Sequence, residues 1–156
     1  MRKILRIILI IIIVGFIIIQ FFRPEKNLGQ ITDNDILSTQ PVPDKVAVIL
    51  KESCFDCHSD KTRYLWYHKI APVSWMINNH IKEGKHELNF SEWGGMDIFE
   101  KITTLEEIAQ ESSRKTMPLK SYLIMHPKAK LSDEQIKTIE EWTTKLSEEL
   151  LEGAVN

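Results

Sequence analysis

The residues with the clearest capacity for chemistry lie between positions 54 and 58. Cys54, Cys57 and His58 form the pattern C-x-x-C-H. In that pattern two thiols can add to the vinyl groups of haem, and the adjacent imidazole can bind its iron. Two intervening residues match the separation of the vinyl groups when the segment is a single helical turn. The spacing therefore predicts one covalently attached haem c per chain, with His58 as an iron ligand.

Two other kinds of site also use paired cysteines. A redox-active pair of the thioredoxin kind follows a strand within a βαβ unit, and the sequence contains no convincing strand pattern. A structural zinc site needs four ligands. Beyond the motif the chain offers only scattered histidines: His68, His80, His86 and His126. The pattern favours haem over both alternatives.

Several residues are candidates for the sixth position of the iron. Met117 precedes Pro118 between two predicted helices, and the proline would hold the methionine backbone rigid. His126 and His80 compete with Met117, and an open position is a third possibility. Met117 is the favoured ligand. Two further methionines are expected to fill gaps in the core: Met76 and Met125.

The N-terminal segment is strongly apolar. Positions 7–22 would span roughly 24 Å as a helix, against about 30 Å of hydrocarbon in a bilayer, so Arg6 and Arg23 would have to reach the interfaces. Because basic residues precede the segment, we expect the N-terminus inside. The prediction is a single-pass inner-membrane protein whose haem domain lies in the periplasm or outside the cell. A cleaved signal peptide is the alternative, but no small-residue cleavage pattern follows.

The remaining sequence is long enough for one domain. We predict a transmembrane anchor over residues 1–22, a polar, proline-containing linker over 23–42 and a haem-binding domain over 43–152. Within that domain, apolar periodicity predicts a helix from Asp44 to about Ser53 that leads directly to Cys54. A second helix is expected from Pro72 to about Glu83, before Gly84.

Capping boxes mark two later helices. Thr104 to Glu107 predicts the start of a third helix, and Ser132 to Gln135 predicts the start of the last. Gly153 is a natural stop for that helix. With a methionine loop between the helices, the expected fold is all-α: a small cytochrome c-like domain around one covalent haem, preceded by one transmembrane helix.

Charge restricts the possible partners. After residue 22 the chain holds 17 basic and 22 acidic residues, which argues against nucleic acid as a partner. The stretch from Ser112 to Ser132 contains no acidic residue. If it surrounds Met117, it gives the haem edge a positive rim that suits a redox partner with an acidic docking surface. The alternative is a solvated loop whose charges only keep it soluble.

Motifs beyond the cysteine pair resemble the bacterial haem-binding domain family of c-type cytochrome-like proteins. The resemblance covers roughly residues 43–146, with Leu65 where the family pattern has a proline. It implies haem attachment at Cys54, Cys57 and His58 and a distal ligand at Met117. The matching segments are Cys54–Ser59, Thr62–Tyr67, Ile70–Trp75, Leu88–Trp93, Met117–Pro118 and the helix from Leu131 that holds Trp142.

Methionine and histidine ligation raises the reduction potential and blocks small ligands. We therefore expect a one-electron carrier and no enzyme activity. The main alternative is a haem-based sensor or small-ligand-binding protein with an open or displaceable sixth position. A peroxidase would need acid–base residues near the iron, for which His80 and Arg63 are the only candidates.

Overall fold

The structure, a computed structural model, describes residues 1–155, and in that part of the chain regular structure is entirely helical. The only β-type pairing there is an isolated antiparallel bridge between Leu28 and Lys61. The prediction of an all-α domain is therefore confirmed. The α-helices are α1 (Arg2–Ile19), α2 (Ile36–Thr39), α3 (Asp44–Ser53), α4 (Phe55–His58), α5 (Val73–Glu87), α6 (Ile98–Ser113), α7 (Lys120–Met125) and α8 (Asp133–Val155), and short 3-10 helices cover Trp66–Lys69, Phe90–Gly95 and Pro127–Ala129.

The N-terminal helix α1 differs from the predicted anchor. It has 18 residues, and its first two turns include Arg2, Lys3 and Arg6. The uncharged part, residues 7–19, rises only about 20 Å, which is shorter than a hydrocarbon core of about 30 Å. Over residues 1–155, no helix combines the length and apolar character that a bilayer crossing requires. The predicted transmembrane helix, and the single-pass inner-membrane location derived from it, are therefore wrong.

Part of the expected linker packs into the domain. Asp35 caps α2 by accepting a hydrogen bond from the Leu37 N–H at 2.9 Å. Asp35 and Ile36 are both fully buried. The backbone N–H of Gly94 donates to the carbonyl of Asn34 at 2.8 Å. The packed part of the chain therefore includes residues before position 43.

Local signals predicted two helices well. Helix α3 has the expected bounds and buries the apolar face formed by Val46, Ile49 and Leu50. At the start of α8, the Gln135 N–H donates to Ser132 Oγ at 3.1 Å, and the Ser132 N–H donates to Gln135 Oε1 at 2.9 Å. The predicted capping box is confirmed.

Three predicted helix boundaries are wrong. Helix α6 begins at Ile98 because Asp97 and Glu100 form its capping box, and Thr104 lies inside the helix. Helix α5 continues through Gly84 to Glu87, and α8 continues through Gly153 to Val155. A glycine that ends a helix commonly takes a left-handed backbone conformation, and no glycine among residues 1–155 has a positive φ.

The core lies between α3, α6 and α8, with the 3-10 helix Phe90–Gly95 against it. Helix α6 packs along α8, and α3 contacts both α8 and α4. The most deeply buried apolar side chains are Ile36, Leu50, Trp93, Leu105 and Ile139. Because α4 joins α3 without a loop and packs against α5, the core holds the cysteine motif in place.

Candidate cofactor site

The cysteine motif faces a cleft of about 280 Å³, close to the lower end of the roughly 300–1,000 Å³ typical of cofactor sites. The cleft is bounded by α4, by α5 and by the segment that runs from Met117 into α7. Most of its lining is apolar, which suits a planar apolar macrocycle. Lining residues include Cys54, Cys57, His58, Tyr67, Val73, Met76, Ile77, His80, Ile81, Gly84, Met117, Leu119, Tyr122 and Met125.

Helix α4 is the single helical turn that the motif spacing requires. The His58 N–H donates to the Cys54 carbonyl at 3.0 Å, and the Cys54 N–H donates to the Leu50 carbonyl of α3 at 2.9 Å. Phe55 points into the core and stacks on Phe90 with ring centroids 5.0 Å apart. Because Phe55 is anchored in the core, both cysteines and His58 are left on the cleft side.

One hydrogen bond determines which nitrogen of His58 can bind a metal. Its Nδ1 lies 3.1 Å from the carbonyl oxygen of Leu88. A carbonyl can only accept, so Nδ1 carries the proton and Nε2 keeps its lone pair. Metal-binding histidines commonly make this second hydrogen bond. Burial lowers the pKa of His58, so the ring is neutral at neutral pH and suited to an iron ligand.

The two cysteines are free thiols in the structure and form no disulfide. Burial, with a smaller contribution from Cys57, raises the pKa of Cys54 to about 12. Burial and the neighbouring Asp56 raise the pKa of Cys57 to about 11. A redox-active dithiol needs a lowered thiol pKa. The environment therefore opposes the thioredoxin-like interpretation.

The zinc interpretation also lacks support. Among residues 1–155, no group of three or more histidine, cysteine, aspartate or glutamate side chains could hold a metal ion. Beyond Cys54, Cys57 and His58, the cleft lining adds His68, His80, Asp56, Glu83 and Glu87, and these do not complete a ligand cluster.

The structure separates the candidates for the sixth position. Met117 and His80 both line the cleft with His58, whereas His126 is absent from the lining. The ring of His126 instead stacks on Tyr122 with centroids 4.0 Å apart, and its Nε2 lies 3.2 Å from the Tyr67 hydroxyl. Met117 and His80 are therefore the two candidates that share the cleft.

Met76 and Met125 were expected in the core, and that prediction is wrong. Their exposed fractions are 47% and 43%, and both side chains line the cleft. Together with Val73 they give the cleft an accessible apolar wall. Methionine adapts to irregular apolar surfaces, so these positions suit contact with a bound macrocycle.

Sequence reasoning missed the polar part of the site. The Tyr122 hydroxyl donates to Asp56 at 2.8 Å, and Arg63 forms an ion pair with the same carboxylate at 3.3 Å. Burial and the Asp56 charge raise the pKa of Tyr122, so its hydroxyl is protonated and acts as the donor. No spacing rule connects residues 56 and 122, although a charged side chain inside the motif was a signal that it needed a partner.

Gly84 lets α5 approach α4 closely. A Cβ atom at this position would lie 2.9 Å from the carbonyl oxygen of Cys57 and 3.2 Å from its Cβ. Backbone atoms cannot move aside as easily as the end of a side chain. The absence of a side chain at Gly84 is therefore a condition for the packing of the site.

We expect Gly84→Ala to destabilise the protein by about 1–2 kcal/mol. Overpacking costs about 1–3 kcal/mol, which exceeds the roughly 0.5–1 kcal/mol gained when alanine replaces glycine inside a helix. Gly153→Ala is the matched control, because no atom lies within 4 Å of its Cβ position. Thermal unfolding should show a lower midpoint for Gly84→Ala and an unchanged or higher one for Gly153→Ala. Equal midpoints would show that α5 tolerates the methyl group.

The donors and the apolar lining fit haem: two thiols one helical turn apart, a neutral imidazole with a free Nε2, and a methionine in the same cleft. A family model described as a haem-binding domain matches residues 14–145 of the chain. No curated protein and no solved structure matches significantly. The likeness to a cytochrome c fold therefore stays a prediction.

Proposed function

The chain belongs to the haem-binding domain family, and from this we propose that it is a c-type cytochrome with one covalent haem that transfers single electrons. The observation that carries the proposal is the arrangement at α4. Cys54, Cys57 and His58 line one cleft, and the Leu88 carbonyl holds the His58 ring with Nε2 free. This is the donor set that haem attachment and axial ligation need.

The residues of the site would have distinct roles. Each thiol would add across one vinyl group, with its sulfur bonded to one carbon and its proton transferred to the other, to form a thioether. His58 Nε2 would bind one face of the iron, and we assign Met117 to the other face. The haem supplies one chemical capacity when bound, the reversible change between ferric and ferrous iron. Methionine ligation would favour the ferrous form and exclude small ligands.

We propose that the protein is not an enzyme. A peroxidase needs free acid–base groups near the iron, and Arg63, one of the two residues considered for that role, is engaged by Asp56. The other residue, His80, would then act alone. A peroxidase normally requires both an acid and a base near the iron, so electron transfer is the better supported function.

The full chain, coexpressed with a cytochrome c maturation system, tests the proposal. After denaturation, the reduced absorption spectrum in alkaline pyridine should show haem that remains with the polypeptide on a denaturing gel. The folded protein should undergo reversible one-electron reduction and should not bind carbon monoxide when reduced. Covalent haem combined with rapid carbon monoxide binding would instead favour the sensor function.

One exposed lysine beside the cleft supports an acidic redox partner. Lys120 is exposed and lies between Leu119 and Ser121, which both line the cleft. Lys115, in contrast, is paired with Asp133 at 2.7 Å. Lys120 therefore contributes a positive charge beside the proposed haem, where it can attract a negatively charged partner.

Lys120→Gln should slow oxidation of the reduced protein by an anionic complex such as ferricyanide. An exposed charge contributes about 0.2–1 kcal/mol, so we expect a roughly 1.5-fold to 5-fold lower rate constant at low ionic strength. Lys145→Gln on α8 makes the same change in net charge as a control. Stopped-flow absorbance measures both rates. Equal slowing in both variants would show that the effect comes from net charge and not from the position of Lys120 beside the cleft.

A further inference from the structure

Asp56 is a buried carboxylate inside the C-x-x-C-H motif. It lies between the two cysteines, is only 6% exposed, and accepts hydrogen bonds from two other parts of the chain. Its Oδ1 accepts from the Arg63 N–H at 3.0 Å and from Arg63 Nε at 3.3 Å. Its Oδ2 accepts from Arg63 Nη2 at 3.4 Å and from the Tyr122 hydroxyl at 2.8 Å. A buried carboxylate with this many donors is held rigidly.

The bond to Tyr122 reaches the segment that carries Met117. Tyr122 is in the first turn of α7, and its N–H donates to the carbonyl of Leu119 at 2.9 Å. Its ring stacks on His126 at 4.0 Å, just after the C-terminal end of α7. Helix α7 has only six residues and none of them is buried, so apolar packing contributes little to its position. The Asp56–Tyr122 hydrogen bond, at 2.8 Å, joins α7 directly to the motif.

We propose that Asp56 is a positioning residue that ties α4 to α7 and thereby holds the segment Met117–Leu119 at the cleft. One buried carboxylate then positions both α4, which carries the motif cysteines, and Met117, the proposed sixth ligand. This inference deepens the proposed function and rests on it where it concerns iron ligation. The link between α4 and α7 is a property of the polypeptide, so it can be measured separately from iron ligation.

Tyr122→Phe is the decisive variant. It removes one hydroxyl and leaves Asp56 three donor contacts from Arg63, so the carboxylate is not left unpaired. Tyr64→Phe is the matched control, because the Tyr64 hydroxyl accepts a comparable hydrogen bond from the Asn27 N–H at 2.7 Å but does not line the cleft. The two variants lose the same group at different places in the fold.

The first measurement is amide hydrogen exchange over residues 117–125 in the full-length protein. Hydrogen bonds to charged groups contribute enough that their loss should raise exchange there about 10-fold to 100-fold in Tyr122→Phe. Tyr64→Phe should leave this segment unchanged. Asp56→Ala/Tyr122→Phe should exchange no faster than Asp56→Ala alone, because each change by itself removes the hydrogen bond between residues 56 and 122. Unchanged exchange in Tyr122→Phe, or an equal increase in Tyr64→Phe, would overturn the proposal.

The second measurement is carbon monoxide binding to the reduced, haem-loaded protein. Because the Met117 segment is loosened, the reduced iron in Tyr122→Phe should bind carbon monoxide at least about tenfold faster than the residual rate of wild type or Tyr64→Phe, both of which should resist this ligand. A rate that does not change despite faster exchange would overturn the link between the tie and the sixth ligand. If the wild-type chain carries no covalent haem, the proposed function fails, whereas the exchange data still decide whether Asp56 ties α4 to α7.

Discussion

Replacing both motif cysteines, as Cys54→Ala/Cys57→Ala, should abolish covalent haem. The chain has only two cysteines, so no other thiol can form a thioether. Each single variant should keep one thioether and hold less haem, with a shifted pyridine spectrum because one vinyl group stays unreacted. A haem-stained denaturing gel and the reduced spectrum in alkaline pyridine measure both effects.

Ser121→Ala is a suitable control for these variants. Ser121 lines the same cleft but carries no thiol, so its replacement should leave the haem content at the wild-type level. Full covalent haem in the double alanine variant would contradict attachment at these cysteines. A wild-type chain that matures without any covalent haem would redirect attention to Cys54 and Cys57 as a dithiol, despite their raised pKa values.

Met117→Ala should open the iron to carbon monoxide. The wild-type ferrous protein is expected to resist this ligand because His58 and Met117 would fill both axial positions, whereas the variant should bind it stoichiometrically. Loss of the thioether should also lower the reduction potential by on the order of 0.1 V, a modest part of the ~0.8 V range that axial ligands cover. Absorption spectra under carbon monoxide and a redox titration give the two values.

His80→Ala is the matched test of the competing ligand, since His80 also lines the cleft. If carbon monoxide binds to His80→Ala and not to Met117→Ala, the sixth ligand is His80. If it binds equally well to both variants and to the wild-type protein, the position is open and the sensor function gains support. His126→Ala should behave like wild type, because His126 does not line the cleft and its ring instead contacts the Tyr67 hydroxyl.

Local signals in the sequence predicted much of the helical framework. The apolar face of α3 and the capping box of α8 involve residues within one or two helical turns of each other, so a local sequence pattern is enough to recognise them. The predicted start of α6 at Thr104 is wrong, because Asp97 and Glu100, which match the same capping-box pattern, form the box at the helix start.

The glycines show why sequence patterns mislead. Gly84 and Gly153 both looked like helix stops, and both lie inside helices. Gly84 is explained by the carbonyl of Cys57, which a side chain would meet at 2.9 Å. That contact joins residues 27 positions apart, and no local rule describes it. Gly153 has no such neighbour, and nothing in its surroundings requires a glycine.

The sequence by itself predicted haem binding, which the family match supports, and the all-α class of residues 1–155. Those properties follow from the reactivity of three side chains and from periodicity over a few helical turns. Only the tertiary structure decided which residues share the cleft. It selected Met117 and His80 over His126, opened the cleft to Met76 and Met125, and joined Asp56 to Tyr122 across 66 positions. These contacts depend on how separate helices pack. A buried carboxylate needs a donor that is close in space, and a glycine is needed only where another backbone comes close, and neither distance can be read from the sequence.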